Sequence, residues 1–261
     1  MKPSVLLLPT SYAIQAWRGL RMAMHCLWAA IFLLLAKPAP DRLCRFKQVW
    51  SLQLLAILGI RLEIDEGGGV VSGSLWVANH ISWLDICALN AYCPLCFVAK
   101  SEIKNWPLLG WLVASGGTVF LCRDSRRHAR EVGETIGHHL KTGQDVAFFP
   151  EGTSTDGSRL LKFRAALFQG AVDSGRPVQP VAISYHDALG RPTPAATYAG
   201  DISFGDSLRA ILACRTMIIR LRLAPPLNPR QLDRRALADQ ARESIRRRLD
   251  LPPSESGKAF P

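Results

Sequence analysis

The sequence predicts an α/β fold: a mixed, largely parallel sheet flanked by helices, with an N-terminal two-helix membrane-embedded appendage. Three observations carry that reading. From residue 60 onward, short apolar runs alternate with stretches of helical pattern, as strands joined through helices do. The first sixty residues lack this alternation and hold two uncharged stretches, at 22–36 and 48–60. Finally, the 261 residues are basic and apolar at once: 32 Lys and Arg stand against 21 Asp and Glu, a formal charge of +11, and 48% of residues are hydrophobic. That content excludes intrinsic disorder. It suits an anionic, partly apolar membrane leaflet better than nucleic acid, which asks for charge without apolar surface.

The stretch at 22–36 covers about 22 Å as a helix, against a hydrocarbon core of about 30 Å. The second stretch is shorter and contains Ser51 and Gln53. Lys2, Arg18 and Arg21 precede the first stretch and Lys37, Arg42, Arg45 and Lys47 follow it, so the positive-inside rule assigns no orientation. Residues 1–60 are therefore expected to form two helices joined at 38–40, entering one leaflet of the inner (cytoplasmic) membrane, with both ends and the rest of the chain on the cytoplasmic side. A single tilted span over 16–36 is the alternative. Residues 5–8 are too short for the apolar core of a signal peptide.

Ile60, Leu62 and Ile64 alternate as a strand does, and Gly67, Gly68 and Gly69 supply a turn. Further strands are expected at 75–78, 96–99, 118–121, 146–149, 181–184 and 217–223, and helices at 83–91, 107–115, 126–141 and 162–174. After Pro225 and Pro226, Asn228-Pro229-Arg230-Gln231 reads as a helix start, with Asn as the cap and Pro at the first position. The helix that follows, to about Leu249, carries seven arginines between 230 and 248 and reads as a solvated basic face. The expected organisation is an appendage over 1–60, an α/β domain over 61–225, and a basic helix and tail over 226–261. The seven cysteines form no regular framework, which points to a reducing compartment. Cys93 and Cys96 have the spacing of a redox or zinc pair, but without a second pair buried packing is the plainer reading.

The chemistry begins at Asn79-His80-Ile81-Ser82-Trp83-Leu84-Asp85. Five helical steps would put His80 and Asp85 about 140° apart, so the chain must turn between them. Ser82 is suited to cap a helix, with Asp85 in the capping-box position. His80 is then left at the end of the 75–78 strand, where Asp85 can hydrogen-bond its ring. A carboxylate on one ring nitrogen fixes the tautomer and leaves the other nitrogen as a base. Spacing alone leaves open the plainer arrangement in which Asp85 only caps and His80 only fills a loop. A second cluster, running from Phe149 to Gly157, follows a buried strand, where open α/β sheets collect ligands. In a third, a strand from Gly117 delivers Arg123, whose planar fork suits phosphate. His25 lies in the apolar stretch, and His138 and His139 diverge by about 100° on a helix. No metal site is expected, and no phosphate-binding G-x-x-x-x-G-K-[ST] string is present.

Together, His80-x4-Asp85, Gly117-x-x-Phe120-Leu121-x-Arg123, Phe149-Pro150-Glu151-Gly152-Thr153, and Pro180 in the apolar run 178–183 resemble the four ordered motifs of the glycerolipid acyltransferases, of the lysophosphatidic acid acyltransferase (1-acyl-sn-glycerol-3-phosphate acyltransferase) type. The resemblance covers residues 70–225. Lys100, Pro107 and Gly110 fit it, whereas Gln179 stands where an apolar residue is common. It implies transfer of an acyl chain from acyl-CoA or acyl carrier protein to the free hydroxyl of a membrane lysolipid, without a cofactor. His80 is the implied base and Asp85 orients its ring. Arg123 pairs with the acceptor's phosphate, Glu151 and Gly152 position its head, and Gly117, Phe120, Thr153 and Pro180 complete the implied substrate-binding set. No acyl-enzyme is required, and the chain contains no G-x-S-x-G elbow. Lysophosphatidic acid is the first acceptor implied. Relatives with the third motif as it reads here, Phe149 to Gly157, also include acyltransferases of lyso-ornithine lipid, which would offer Arg123 a carboxylate. A phospholipid-dependent transacylase or a lipid hydrolase would share the His80 base. A non-enzymatic binder of membrane or nucleic acid would use Arg126, Arg127, Arg130 and the C-terminal arginines, but aromatic interleaving is missing and no nucleic acid is expected as a partner.

Overall fold

Helices α1 (Tyr12–Ala36) and α2 (Pro40–Leu58) lead into β1 (Ile60–Asp65), β2 (Leu75–Ala78), α3 (Leu84–Tyr92), β3 (Cys96–Lys100), β4 (Val119–Leu121), α4 (Arg126–Lys141) and β5 (Val146–Phe148). A 3-10 turn at Ala165–Phe168 then runs into α5 (Gln169–Ser174), followed by β6 (Val178–Asp187), α6 (Phe204–Ala213), β7 (Met217–Leu223) and α7 (Arg234–Arg248). The structure, a computed structural model, describes residues 9–101, 118–121 and 126–252. The helix expected at 107–115 lies outside the described residues, as do Pro107, Gly110, Gly117 and Arg123.

The seven strands form one sheet in the order β1-β7-β6-β2-β5-β3-β4. Every pairing is parallel except β6 with β7. Strand alternation divides the core between the two faces. Trp76, Ala78, Ala147, Val181, Ile183 and Tyr185 face α2, α3 and α6, meeting Leu54, Leu55, Leu58, Leu84, Leu89 and Ile211. Leu75, Val77, Val146, Phe148, Val178 and Ala182 face the other way, onto Val132, Ile136 and Leu140 of α4, Phe168 and Ala171, and Leu237, Ala238, Ala241 and Ile245 of α7. All four β2 residues are buried. Covered on both faces, the strand reads as a continuous apolar run, and each large side chain buried there contributes about 1.5–3 kcal/mol. Because α2 and α7 both enter this core, packing does not break at residues 60 and 225.

Two helices differ from the sequence expectation. Leu227 is bridged to Val178 in both directions, N–H to carbonyl at 2.9 and 2.8 Å, which keeps the chain extended there. Asn228 then makes a local turn by accepting from the Arg230 N–H at 3.0 Å, and Gln231 takes a left-handed φ of 67°. Helix α7 starts only at Arg234, where the Asp233 carboxylate accepts from the N–H groups of Arg235 and Ala236, both at 2.8 Å. One face of α7 is buried, so it is not a wholly solvated helix. The helix expected over 162–174 is shorter because Arg164 is extended, its N–H donating to the Pro150 carbonyl at 2.9 Å.

Helix α1 corrects the length estimate for the N-terminal stretch. It is 25 residues long, about 37 Å at the helical rise, and by length and composition it is long and apolar enough to cross a membrane. The charge of Arg18 does not end it, because the guanidinium donates to the Cys214 and Arg215 carbonyls at 2.7 and 3.0 Å. Thr10 adds bonds to the carbonyls of Ala213 and Leu212 at 2.9 and 2.8 Å, fastening the start of α1 to the end of α6. Beyond that clasp Leu20, Met24, Leu27, Trp28, Leu34 and Leu35 are all more than half exposed, an apolar face of the kind that marks a membrane or partner surface. His25 is structural: its ring stacks on Trp50 with centroids 5.1 Å apart, and its Nε2 lies 3.0 Å from the Trp50 carbonyl.

Candidate active site

Strand β2 stops at Ala78, and the Asn79 side chain extends its pairing by one step. The amide donates to the Ile183 carbonyl at 2.9 Å and accepts from the Ile183 N–H at 2.7 Å. The next residue, His80, therefore emerges at the carboxyl edge of the sheet. Its Nδ1 lies 2.8 Å from Asp85 Oδ2, with the histidine side chain 22% exposed and the aspartate fully buried. Asp85 Oδ2 also accepts from the N–H groups of Ile81 and Ser82 at 2.7 and 2.9 Å, while Oδ1 accepts from the Tyr185 hydroxyl at 2.6 Å. Asp85 therefore caps the chain turn and pairs with the ring at once. Trp83, not Ser82, is the residue that immediately precedes the helix, and the Ser82 hydroxyl sits 3.4 Å from the Leu84 N–H. With the carboxylate opposite Nδ1, the partner assigns the proton to that nitrogen and leaves Nε2 to accept.

The loop after β5 holds this histidine from the other side. Phe149 stacks on the imidazole with centroids 4.0 Å apart and planes within 12°. Glu151 Oε1 accepts the His80 N–H at 2.9 Å, and the Thr155 N–H donates to the His80 carbonyl at 2.8 Å. Both backbone groups of the histidine are thus tied to one loop. Gly152 permits the turn: its φ is 79°, and a Cβ there would lie 2.8 Å from Arg164 Nε. The Ser154 hydroxyl donates to the Tyr198 carbonyl, and Thr153 remains exposed beside it.

Several expected substrate contacts fall elsewhere. Glu151 was expected to help position the acceptor head, yet it is 3% exposed and its second oxygen accepts the Leu161 N–H at 2.9 Å. It turns inward because two backbone donors converge on it, and it positions His80 instead. Burial pushes its carboxyl above the ordinary range, against the pull of those two N–H groups and of His80. Pro180 is buried in β6 opposite Val77, on the sheet face turned away from Tyr185. Its carbonyl accepts the Ala224 N–H at 3.0 Å. Phe120 lies in β4, with β5 and β3 between it and β2, so it does not meet His80 through the sheet. Gln179 is buried and donates to the Ala224 carbonyl at 2.7 Å, bracing the chain after β7. Burial pushes the Cys93 thiol to about 12, a poor setting for redox chemistry. Among the described residues no group of three or more His, Cys, Asp or Glu is placed to hold a metal.

Replacing Glu151 by Gln sets an amide NH2 against one of two backbone N–H donors. A buried donor left without an acceptor costs about 1–3 kcal/mol. The variant is expected to melt at lower temperature and to lose transfer rate through misplacement of His80. A Glu151→Gln enzyme with wild-type melting and turnover would remove this role.

The acyltransferase family model matches residues 66–184, which contain His80, Asp85, the loop and most of β6. A 1-acyl-sn-glycerol-3-phosphate acyltransferase of Neisseria meningitidis serogroup B is 41% identical over 195 residues, 74% of this chain and 76% of that protein. The chain belongs to the acyltransferase family. A lyso-ornithine lipid O-acyltransferase of Pseudomonas aeruginosa is 37% identical over 209 residues, 80% of this chain and 79% of that protein. The crystal structure of the 1-acyl-sn-glycerophosphate acyltransferase from Thermotoga maritima shares the fold, with a TM-score of 0.63 at 21% identity over 89% of this chain and 96% of that one. The acyltransferase passes an acyl group from a donor to a lipid acceptor, and its apolar α1 associates it with membrane.

Proposed function

We propose that this acyltransferase moves a fatty acyl chain from acyl-CoA or acyl carrier protein to the free hydroxyl of 1-acyl-sn-glycerol-3-phosphate, giving phosphatidic acid. The observation that carries the chemistry is a reachable imidazole whose Nδ1 is committed to a buried carboxylate. In that setting His80 Nε2 takes the proton as the acceptor oxygen attacks the thioester carbonyl, and Asp85 stabilises the imidazolium. The tetrahedral intermediate collapses, the carbon–sulfur bond breaks, and the thiolate leaves with the proton returned by the ring. Because a thioester is already activated, the reaction as proposed calls for no cofactor. Arg123, outside the described residues, is the proposed partner of the acceptor's phosphate. The 41% identity to the Neisseria enzyme supports this acceptor.

Lyso-ornithine lipid is the second reading, supported by the longer match, at 37% identity, to the Pseudomonas enzyme. For the membrane, both ends of the α1–α2 hairpin are fixed to the catalytic sheet layers, while Lys37, Asp41, Arg42 and Arg45 sit at its turn. Charges at the turn favour entry into one leaflet, on the cytoplasmic face of the inner membrane, over passage through it. The deciding experiment is lipid profiling after expression in a host defective in phosphatidic acid synthesis and supplied with lyso-ornithine lipid. Rescue with phosphatidic acid formed is the expected result. Ornithine lipid without rescue would overturn the first acceptor in favour of the second.

A further inference from the structure

Tyr185 lies five residues beyond Pro180 and belongs to none of the four motifs. Strand β6 brings it to the site because Val181, Ile183 and Tyr185 share the sheet face covered by α3, whose first turn carries Asp85. The phenol is 4% exposed, and its hydroxyl is 2.6 Å from Asp85 Oδ1. The other carboxylate oxygen already accepts from His80 Nδ1 and two backbone N–H groups. One oxygen thus faces the imidazole and the turn, and the other faces the phenol, whose hydroxyl also meets the Ser82 side chain.

We propose that Tyr185 is a positioning residue for acyl transfer, acting through Asp85 to hold the carboxylate in plane with the His80 ring and to moderate its charge. The inference rests on His80 being the base. Two effects follow from the geometry. A carboxylate bonded at both oxygens cannot swing about its Cβ–Cγ bond, so Oδ2 stays opposite Nδ1. A donor on Oδ1 also draws negative charge from Oδ2, which limits how strongly the carboxylate retains a proton on the imidazole. Burial and the adjacent carboxylate hold the Tyr185 hydroxyl well above its ordinary range, so it stays a donor throughout the working pH.

The ionisable groups around this unit come from each packed element. Cys87 of α3 is pushed to about 12 by burial and stays a neutral thiol. Glu151, from the loop after β5, meets the backbone of His80. Neither touches the Tyr185–Asp85 bond, so both act alike with or without the hydroxyl.

The test is Tyr185→Phe, which keeps the ring and removes only the donor. Expected are a melting temperature within a few degrees of wild type, a kcat lower by about tenfold with KM for the acceptor little changed, and an acidic limb of the kcat/KM profile moved upward by about half a pH unit. The sign follows from the charge: with Oδ1 bare, the ring holds its proton to higher pH and the base is lost earlier on acidification. The double variant Tyr185→Phe, Asp85→Ala, assayed below its melting temperature, should stay within about threefold of Asp85→Ala alone, since without the carboxylate the phenol has nothing to act through. A Tyr185→Phe enzyme with unchanged kcat and an unmoved limb would overturn the inference, as would additive losses in the double variant. If His80→Ala retained full activity, the reading of His80 as base would fail instead, and the two failures are told apart by that single control.

Discussion

Replacing His80 by Ala is expected to lower the rate of acyl transfer by at least about a hundredfold, the usual cost of losing a general base. The protein should remain folded. The imidazole is partly exposed, and what holds the segment is its backbone, bonded to Glu151 and Thr155 whatever the side chain. The remaining acceptor capacity of Asp85 is still met by Ile81, Ser82 and Tyr185. Transfer measured with a radiolabelled acyl donor, alongside a melting curve, separates the two. Turnover like wild type in a folded His80→Ala enzyme would end the general-base mechanism, because no other described side chain occupies that position.

The sheet was legible because its strands are short apolar runs separated by turn chemistry, and β2, buried on both faces, shows that composition at every position. What local pattern could not supply was competition from distant partners. Asn228 and Pro229 look like a helix start, yet the Leu227–Val178 bridge, 49 residues away in sequence, holds the chain extended and moves the start to Asp233. Arg18 looks like a charge that ends an apolar stretch, yet carbonyls nearly two hundred residues later absorb it. In the site, spacing and capping put His80 and Asp85 within reach of each other but left the cap-only arrangement open, and the 2.8 Å contact decides it. The inward turn of Glu151 carried no local signal because the two N–H groups that it accepts, from His80 and Leu161, come from separate segments. Thr155 lay in the 149–157 cluster without a role of its own, and Tyr185 lay just past the strand expected at 181–184, which the structure extends to Asp187. Only the strand order, which sets β6 beside β2, explains why a tyrosine in one reaches an aspartate following the other.

Asp85→Asn should cost more than any other conservative change, and its pattern distinguishes charge from shape. The amide can be seated in only one way. Its NH2 cannot take the Oδ2 position, where His80 Nδ1 and two backbone N–H groups all donate. It must therefore take the Oδ1 position, facing Tyr185, whose hydroxyl can turn to accept. In that pose the Tyr185 proton turns to the Ser82 side chain, which already meets the phenol, and every donor keeps a partner, so folding is expected to lose little. The imidazolium formed during transfer then faces a neutral amide in place of a carboxylate, and the expected fall in kcat is about ten-thousandfold, the scale of the same change in a serine-protease triad. Asp85→Ala differs in kind. It leaves the Ile81 and Ser82 N–H groups buried without an acceptor, at about 1–3 kcal/mol each, and takes from the Tyr185 hydroxyl its carboxylate partner, so a marked drop in melting temperature should accompany the loss of activity. If Asp85→Asn instead melted as low as Asp85→Ala while keeping most of its activity, Asp85 would be a capping residue whose pairing with His80 does not serve the reaction.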